Sequence, residues 1–370
     1  CHYVMIIIIF IQKRGHKMEQ FIGVSSRCDV DEAVKGLSNP KLIIMFVSDE
    51  ALFEKNVLRL KEKFPDVPSI SCVGQSYAGN RAIENGLLIT ALCGDITVDT
   101  GVIQNVSKAP VASIRNIQNS ISKVNAGKDN TVIIDLCTGN DECVLTTIQS
   151  VIAAKGIQLT GGTTWTKSVG VNGNIYEDSC AYAVVKNNKG RVKVYRENIY
   201  TPTDKFHICT KAVPNEYKIC DLDGKKAQDV YINELGIKPQ DVEEQTFKNP
   251  LGRCLGDEIF IVSIKEKSNN GDLYCYRKVN PKDKLYILEA GDDKEILEDI
   301  IRNIQSDFSH ISGVFSINCI FRYLYFKKLN HIDNYLNRMS SLGKHSGLIG
   351  MGEHFNGQHT NQTMSCVVFE

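Results

Sequence analysis

The strongest constraint on the fold is a strand–helix–strand pattern that occurs twice in the first half of the sequence. A continuous apolar run at 42–47 is followed by a helix cap, a helical pattern and a short apolar run that ends at Gly74. The run at 131–136 is followed by the same succession of helix cap, helical pattern and short apolar run, which ends at Gly162. Unbroken short apolar runs are typical of strands buried on both faces. The pattern predicts an α/β N-terminal domain of two duplicated β-α-β-β-β-like halves, although α/β proteins also repeat strand and helix without duplication.

Each predicted half continues with two further apolar segments that are close together in sequence. In the first half these are 87–93 and 95–103, and in the second they are 180–185 and 191–195. Short connections between strands usually join antiparallel neighbours. We therefore predict that the two members of each pair are paired strands.

The pattern changes after residue 200, where the sequence Thr-Pro-Thr-Asp interrupts the apolar runs. Segments 258–265, 273–279 and 284–288 then alternate apolar and polar residues, as antiparallel strands do. We predict two domains in all, since 370 residues exceed one ordinary core. Their expected bounds are 18–200 for the α/β domain, 201–216 for a linker, and 217–370 for an α+β domain with an antiparallel sheet.

The first 17 residues are interpreted as a non-native extension. Residues 5–11 form an isoleucine-rich run that is well short of the ~20 residues of a membrane span. Basic residues follow this run, whereas a secretory signal places them before it. Lys13-Arg14-Gly15 can be encoded by a purine-rich ribosome-binding site, which would make Met18 the true start.

Composition excludes several classes of protein. Lys and Arg together number 43, as do Asp and Glu, so no broad attraction to nucleic acid or to anionic lipid is expected. The 13 cysteines are an odd number without a Cys-x-x-Cys pair, and they therefore predict neither a disulfide framework nor a zinc knuckle. A reducing, cytoplasmic location is expected.

Several short motifs along the chain resemble those of the FIST sensory family. They comprise Cys72-Val73-Gly74, Gly161-Gly162-Thr163, residues 220–227, Asn318-Cys319 with Arg322, Gly350-Met351-Gly352-Glu353 and Asn361-Gln362-Thr363. Their order and spacing carry the resemblance, which extends from Met18 to the end of the sequence. It divides into a FIST N-terminal part to about residue 200 and a FIST C-terminal part from about residue 217.

The resemblance implies a bacterial, cytoplasmic sensory protein without a catalytic role. Such a protein would bind a small ligand between its domains, an amino acid or related metabolite, and would signal through a separate protein partner. Some FIST relatives bind haem and report nitric oxide, so a haem-binding gas sensor is the alternative; no other cofactor is expected. The family pattern commonly continues Asn-Cys with a Gly-Arg-type turn, whereas Ile320 and Phe321 stand here, which leaves the type of ligand open.

The expected ligand site draws on both domains. Its residues are Gly74, Gly161, Gly162, Thr163, Asn318, Cys319, Arg322, Glu353, His359 and Gln362. Glycines allow backbone amides to approach a carboxylate, or they serve only to reverse the chain. Glu353 could accept the ammonium group of an amino acid, while Arg322 binds its carboxylate with two hydrogen bonds. In the competing interpretation Glu353 and Arg322 pair with each other or cap backbone groups.

Metal binding and catalysis have weaker support in the sequence. His354 and His359, taken with His345 and Glu353, match no zinc-binding spacing, so no metal site is predicted. A hydrolase or transferase that uses Cys319 is a third alternative. Histidines follow this cysteine in the sequence, but no motif places a base beside its thiol.

Overall fold

A computed structural model describes residues 17–256 and 258–370. Residues 1–16, which make up nearly all of the predicted extension, lie outside the described residues. The described chain forms three six-stranded sheets, here called sheets 1 to 3, and an eight-stranded sheet 4. Every strand pair of sheet 4 is antiparallel, which confirms the predicted combination of an α/β part with an antiparallel α+β part.

The first half of the chain contains two successive units with the same order of elements. Unit 1 consists of β1 (Glu19–Ser25), α1 (Val30–Ala33), β2 (Pro40–Val47), α2 (Phe53–Lys63), β3 (Ser69–Val73), β4 (Gln75–Ala78), β5 (Arg81–Ile83) and β6 (Leu87–Cys93). Unit 2 consists of β7 (Ile96–Gln104), α3 (Ile114–Lys123), β8 (Thr131–Cys137), α4 (Asp141–Ile152), β9 (Gln158–Thr163), β10 (Ser168–Val171), β11 (Asn174–Glu177) and β12 (Ser179–Asn187).

The second half contains a third unit that is interrupted by an inserted domain. The unit opens with β13 (Val192–Glu197) and resumes with α7 (Asp293–Asp307), β22 (Gly313–Cys319), α8 (Ile320–Leu329), α9 (Ile332–Ser340), β23 (His345–Gly350), β24 (Glu353–Phe355), β25 (Gln358–Thr360) and β26 (Met364–Phe369). The inserted domain consists of β14 (Tyr200–Val213), β15 (Lys218–Leu222), β16 (Lys225–Lys226), α5 (Ala227–Leu235), α6 (Val242–Gln245), β17 (Leu251–Leu255), β18 (Glu258–Val262), β19 (Ile264–Lys267), β20 (Leu273–Cys275) and β21 (Lys284–Ala290).

Sheets 1 to 3 share one topology. In each unit a strand, a helix and a second strand form a parallel pair, namely β2 with β3, β8 with β9, and β22 with β23. The last strand of the unit then returns antiparallel to the first strand of that pair. The two halves predicted from the sequence are therefore present, and residues 192–197 and 293–370 form a third copy that the sequence pattern did not reveal.

The three units exchange their hairpins in a cycle. The hairpin β4–β5 of unit 1 joins sheet 3, β10–β11 of unit 2 joins sheet 1, and β24–β25 of unit 3 joins sheet 2. Each sheet therefore contains strands from two units. Residues from both predicted domains meet in sheets 2 and 3, so the predicted boundaries do not separate independent sheets.

Two layers of packing explain why the sheet strands are apolar on both faces. Side chains from all three sheets meet in one common core, which includes Phe46, Leu136 and Phe315. The other face of each sheet is covered by the helices of its own unit. Burial of both faces in this way requires unbroken apolar runs rather than alternating ones. We call these three sheets and their helices the body.

The inserted domain leaves and re-enters the body at a single place. Its two ends meet where the Gly291 amide donates to the carbonyl of Ile199, 2.8 Å away. Strand β14 covers most of the segment 201–216 that was predicted as a linker, because its residues pair with β15 and β21 instead of crossing open solvent. The inserted domain has its own apolar core.

The predicted pairing of consecutive strands is wrong in both halves. Strand β6 pairs with β1 and β2 in sheet 1, whereas β7 pairs with β12 in sheet 2. Strand β13 likewise pairs with β26 in sheet 3, not with β12. The short connections at these places carry the chain from one sheet to the next, and for this reason their length does not indicate a hairpin.

Candidate functional site

The predicted glycine motifs and the C-terminal motif converge at the junction between the body and the inserted domain. Strand β24 pairs with β9, which places Glu353 opposite Gly162 and His354 opposite Gly161. The turn that follows β25 contacts the inserted domain, because the Gln362 side chain donates to the Thr246 carbonyl, 3.1 Å away, and to the Ser263 hydroxyl, 2.7 Å away. We call residues 353–363, with the body residues that they contact, the inner network.

Glycine is required at three positions of the inner network. A Cβ atom at Gly161 would lie 1.9 Å from an oxygen of the Asp135 carboxylate, and one at Gly162 would lie 2.6 Å from the Gly352 carbonyl. A Cβ atom at Gly352 would lie 2.4 Å from Nε2 of His359. Real Cβ atoms do not approach other atoms so closely, so the glycines make room for a carboxylate and an imidazole. Their role in the structure is close packing, and none of them lies in a left-handed conformation.

His354 lies between two carboxylates. Its Nδ1 is 2.7 Å from Asp135 Oδ2, and its Nε2 is 2.9 Å from Asp141 Oδ1. Burial lowers the pKa of His354, but the two carboxylates outweigh this effect and hold the pKa well above its usual value. The Thr163 hydroxyl donates to the same Asp141 oxygen at 2.8 Å. The partly exposed His359 stands next to His354, with ring centroids 5.7 Å apart. Its buried Nε2 has no hydrogen-bond partner in the described part of the chain.

Glu353 points to the opposite side of β24 from His354. One of its carboxylate oxygens accepts hydrogen bonds from the backbone amide and the hydroxyl of Thr363. The other oxygen is buried without a partner. Burial raises the pKa of Glu353 to about 7, although the bonds from Thr363 act in the opposite direction. Glu353 therefore does not pair with Arg322, but it caps the backbone amide of Thr363, as the second form of the competing interpretation expected.

Arg322 belongs to a separate buried ion pair. Its guanidinium donates to Glu197 at 2.5 Å and to the side chain of Asn318 at 2.8 Å. The same group stacks over the rings of Phe326 and Tyr335. These contacts occupy Arg322, which was expected to bind a ligand carboxylate, because α8 directs its side chain into the apolar cluster between sheet 3 and its helices.

Two further predicted residues, Gly74 and Cys319, are packed against other parts of the protein. Gly74 packs against Trp165 and Leu348 at the start of β4, where a Cβ atom would lie 2.6 Å from the Leu348 side chain. Cys319 is buried at the start of α8, and its backbone amide donates to the Thr363 carbonyl at 3.2 Å. Burial raises the pKa of the Cys319 thiol, so the thiolate that a nucleophile needs is disfavoured.

A cavity of about 450 Å³ opens at the junction, next to the inner network. Helix α8 forms one wall, and residues 237–248 of the inserted domain form the other. The lining side chains include two aromatic rings and charges of both signs; they are Ile237, Asp241, Glu244, Gln245, Phe247, Lys248, Tyr325, Lys328 and Leu329. Proteins commonly hold small ligands in cavities of roughly this volume at domain interfaces. We call it the junction cavity.

A second cavity lies elsewhere in the body. It has a volume of about 650 Å³ and is lined by residues of β1, of the segment before β2 and of the connection between β6 and β7, among them Lys17, Cys93 and Asp95. None of the ten predicted site residues lines this cavity or the junction cavity. Only the location of the junction cavity, between the body and the inserted domain, matches the predicted position of a ligand between two parts of the protein.

A family model for the FIST N domain matches residues 41–225, which is half of the chain. The chain belongs to the FIST family. FIST domains are sensory domains, and the resemblance inferred from the motifs at Gly74 and at 161–163 is thereby confirmed. No curated protein matches the chain.

The matched range of the FIST model ends inside the inserted domain, so the resemblance of the C-terminal part stays a prediction. Among the helices that the described residues form, none combines the length and the apolar character that crossing a bilayer requires.

Sequence reasoning missed five side chains at this junction of the FIST protein. They are Asp135, Asp141, Asp241, Lys248 and Arg277, whose guanidinium donates to the backbone carbonyl of His359. Asp141 is 213 residues away from His354 in the chain, and only the exchange of the hairpin β24–β25 brings the two together. Asp135 did carry a signal, since it is a charged residue inside the otherwise apolar run of β8. Such a residue needs a buried partner.

Proposed function

We propose that this FIST protein is an intracellular sensor that binds a small zwitterionic ligand, such as an amino acid, in the junction cavity and signals through a separate partner protein. One observation carries the proposal: a cavity of about 450 Å³ lies between two parts of the chain and presents an acidic and a basic group that have no ion-pair partner among residues 17–256 and 258–370. No catalytic step is part of this proposal.

The charged groups of the junction cavity suit a zwitterion. Among the described residues, neither Asp241 nor Lys248 has an ion-pair partner, whereas Glu244 and Lys328 pair with each other across the cavity. Asp241 would accept the ammonium group of the ligand and Lys248 would bind its carboxylate. The rings of Phe247 and Tyr325 offer an apolar surface for the ligand's side chain.

The wall of the cavity is connected to the body by specific contacts, which suggests how binding is reported. The Thr246 carbonyl accepts from the side chain of Gln362 at 3.1 Å. The Phe247 ring also packs on Phe321, with centroids 5.0 Å apart. A ligand that contacts both walls would favour one arrangement of the two parts. A ligand that binds one arrangement 100-fold more tightly shifts the equilibrium between the two arrangements by about 2.7 kcal/mol. This shift is enough for a partner protein to distinguish them.

A thermal-shift screen over the common amino acids tests the proposal. At a ligand concentration of 100 times its Kd, binding to the folded state adds about 2.7 kcal/mol to the free energy of unfolding and raises Tm. The variants Asp241→Asn and Lys248→Met are expected to lose this shift. Lys327→Met is the matched control, because Lys327 is the neighbour of Lys328 but pairs with Glu84 outside the cavity.

Two outcomes would contradict the proposed site. If both cavity variants keep the full shift while Glu353→Gln abolishes it, the ligand binds in the inner network as the sequence alone suggested. If no amino acid shifts Tm but added haem gives a Soret band, the haem alternative is supported instead.

A further inference from the structure

The two histidines of the inner network form a cluster with Asp141 that has the composition of a metal site. One candidate ligand atom from each of Asp141, His354 and His359 lies within 4.8 Å of the other two. We propose that these three side chains bind one divalent transition-metal ion of the zinc type. This site is independent of the junction cavity and does not require the proposed function.

The surroundings of His354 resemble those of a metal-ligating histidine. Such a histidine usually donates its second ring N–H to a carboxylate, which fixes the tautomer and the orientation of the ring. In this protein Asp135 accepts from Nδ1 at 2.7 Å, which leaves Nε2 directed at Asp141. Thr163 in turn orients Asp141 through a hydrogen bond of 2.8 Å. Asp135 and Thr163 are thus positioning residues behind two of the three ligands.

The glycines of the inner network keep this cluster together. Gly161 leaves room for the Asp135 carboxylate, and Gly352 leaves room for Nε2 of His359. That Nε2 atom is buried and unpartnered, so in the absence of a bound ion it would carry an uncompensated desolvation cost. The motif Gly161-Gly162-Thr163 therefore supplies a positioning group and the space for the Asp135 carboxylate, and Gly352 supplies the space for the His359 ring.

The donor set selects the class of metal. Two imidazole nitrogens and one carboxylate suit Zn²⁺ and related ions, whereas Mg²⁺ and Ca²⁺ prefer oxygen ligands alone. Ligand atoms in a tetrahedral zinc site stand about 3.4 Å apart, so side-chain movements of about 1 Å would close the cluster. Binding requires His354 to release the Nε2 proton to solvent, because that nitrogen then coordinates the ion. With three protein ligands, the fourth position is left for water or for an added ligand.

The experiment measures metal binding by the full chain after treatment with EDTA. Titration with Co²⁺ is expected to produce visible d–d bands at one equivalent, and Zn²⁺ is expected to displace the Co²⁺ and to raise Tm. The variant His359→Gln should lower the affinity for Zn²⁺ at least 100-fold; it should also fold, since His359 is partly exposed. Asp135→Asn, which preserves shape, should lower the affinity about 10- to 100-fold because it alters only the positioning group.

Two controls distinguish this site from adventitious binding. His331→Gln removes a histidine that also pairs with a carboxylate, Asp293, but has no second histidine beside it; metal affinity should not change. Cys143→Ser removes an exposed thiol two residues from Asp141, and binding should again persist. The proposal is overturned if the treated protein binds neither ion, if His359→Gln binds Zn²⁺ as tightly as the parent, or if Cys143→Ser abolishes binding.

Discussion

Replacing Glu197 by alanine is expected to lower the free energy of unfolding by about 3–5 kcal/mol. The side chains of Glu197 and Arg322 are both completely buried and lie 2.5 Å apart. Without Glu197 the guanidinium would keep its hydrogen bond to Asn318 and its contacts with the rings of Phe326 and Tyr335. Leaving a buried cation without its anion lowers the free energy of unfolding far more than breaking an ion pair on the surface. Urea unfolding monitored by circular dichroism measures the effect.

A neighbouring ion pair provides the control. Arg196 precedes Glu197 and pairs with Glu258, whose side chain is 42% exposed. Glu258→Ala should therefore cost less than about 1 kcal/mol. The double variant Glu197→Leu with Arg322→Met should regain most of the lost stability, because it removes both buried charges together. Equal losses for Glu197→Ala and Glu258→Ala would contradict the assigned importance of the buried pair.

The buried side chain of His345 is expected to lower the free energy of unfolding on mild acidification. Burial lowers the pKa of His345 from 6.5 to about 3. Its Nε2 contacts the Ser316 hydroxyl at 2.8 Å, and its buried Nδ1 has no partner. The folded protein thus keeps this histidine neutral, while the unfolded chain binds a proton as the pH falls below about 6.5. Stability is lost across this window, by about 2.7 kcal/mol over two pH units.

The contribution of His345 is measured by comparing urea unfolding at about pH 6.5 and about pH 4.5. In His345→Gln the stability should change less between these two conditions, by roughly 2–3 kcal/mol. His310 is exposed, so His310→Gln should retain the pH dependence of the parent protein. An unchanged pH dependence in His345→Gln would mean that other groups cause the acid sensitivity.

Local structure was more predictable than the way in which the strands pair. The runs at 42–47 and 131–136 became strands of the common core. Apolar periodicity reports burial, and burial on both faces is a local property of a strand. Pairing is not local in this fold, since consecutive strands such as β6 and β7 enter different sheets. The third unit was hidden because residues 200–290 separate β13 from its other strands.

The candidate site was also only partly predictable from the sequence. Motif resemblance correctly brought Gly162 and Glu353 together, because both belong to strands that pair directly. It misplaced Arg322, whose partner Glu197 is 125 residues away and has no motif of its own. The sequence motifs also did not reveal the cluster around His354, because spacing rules for zinc sites assume ligands that are close in sequence. Asp141 reaches His354 only through the exchange of hairpins between units.

The cyclic exchange of hairpins has a practical consequence for expression of truncated forms. A fragment trimmed to residues 41–225 would lose β1 beside β6, β23 beside β4, β24 beside β9 and β26 beside β13. Each loss exposes an unsatisfied strand edge, and such edges recruit other chains into aggregates. The three units of this protein therefore cannot be handled as separable modules, and soluble material should require the whole interlocked body.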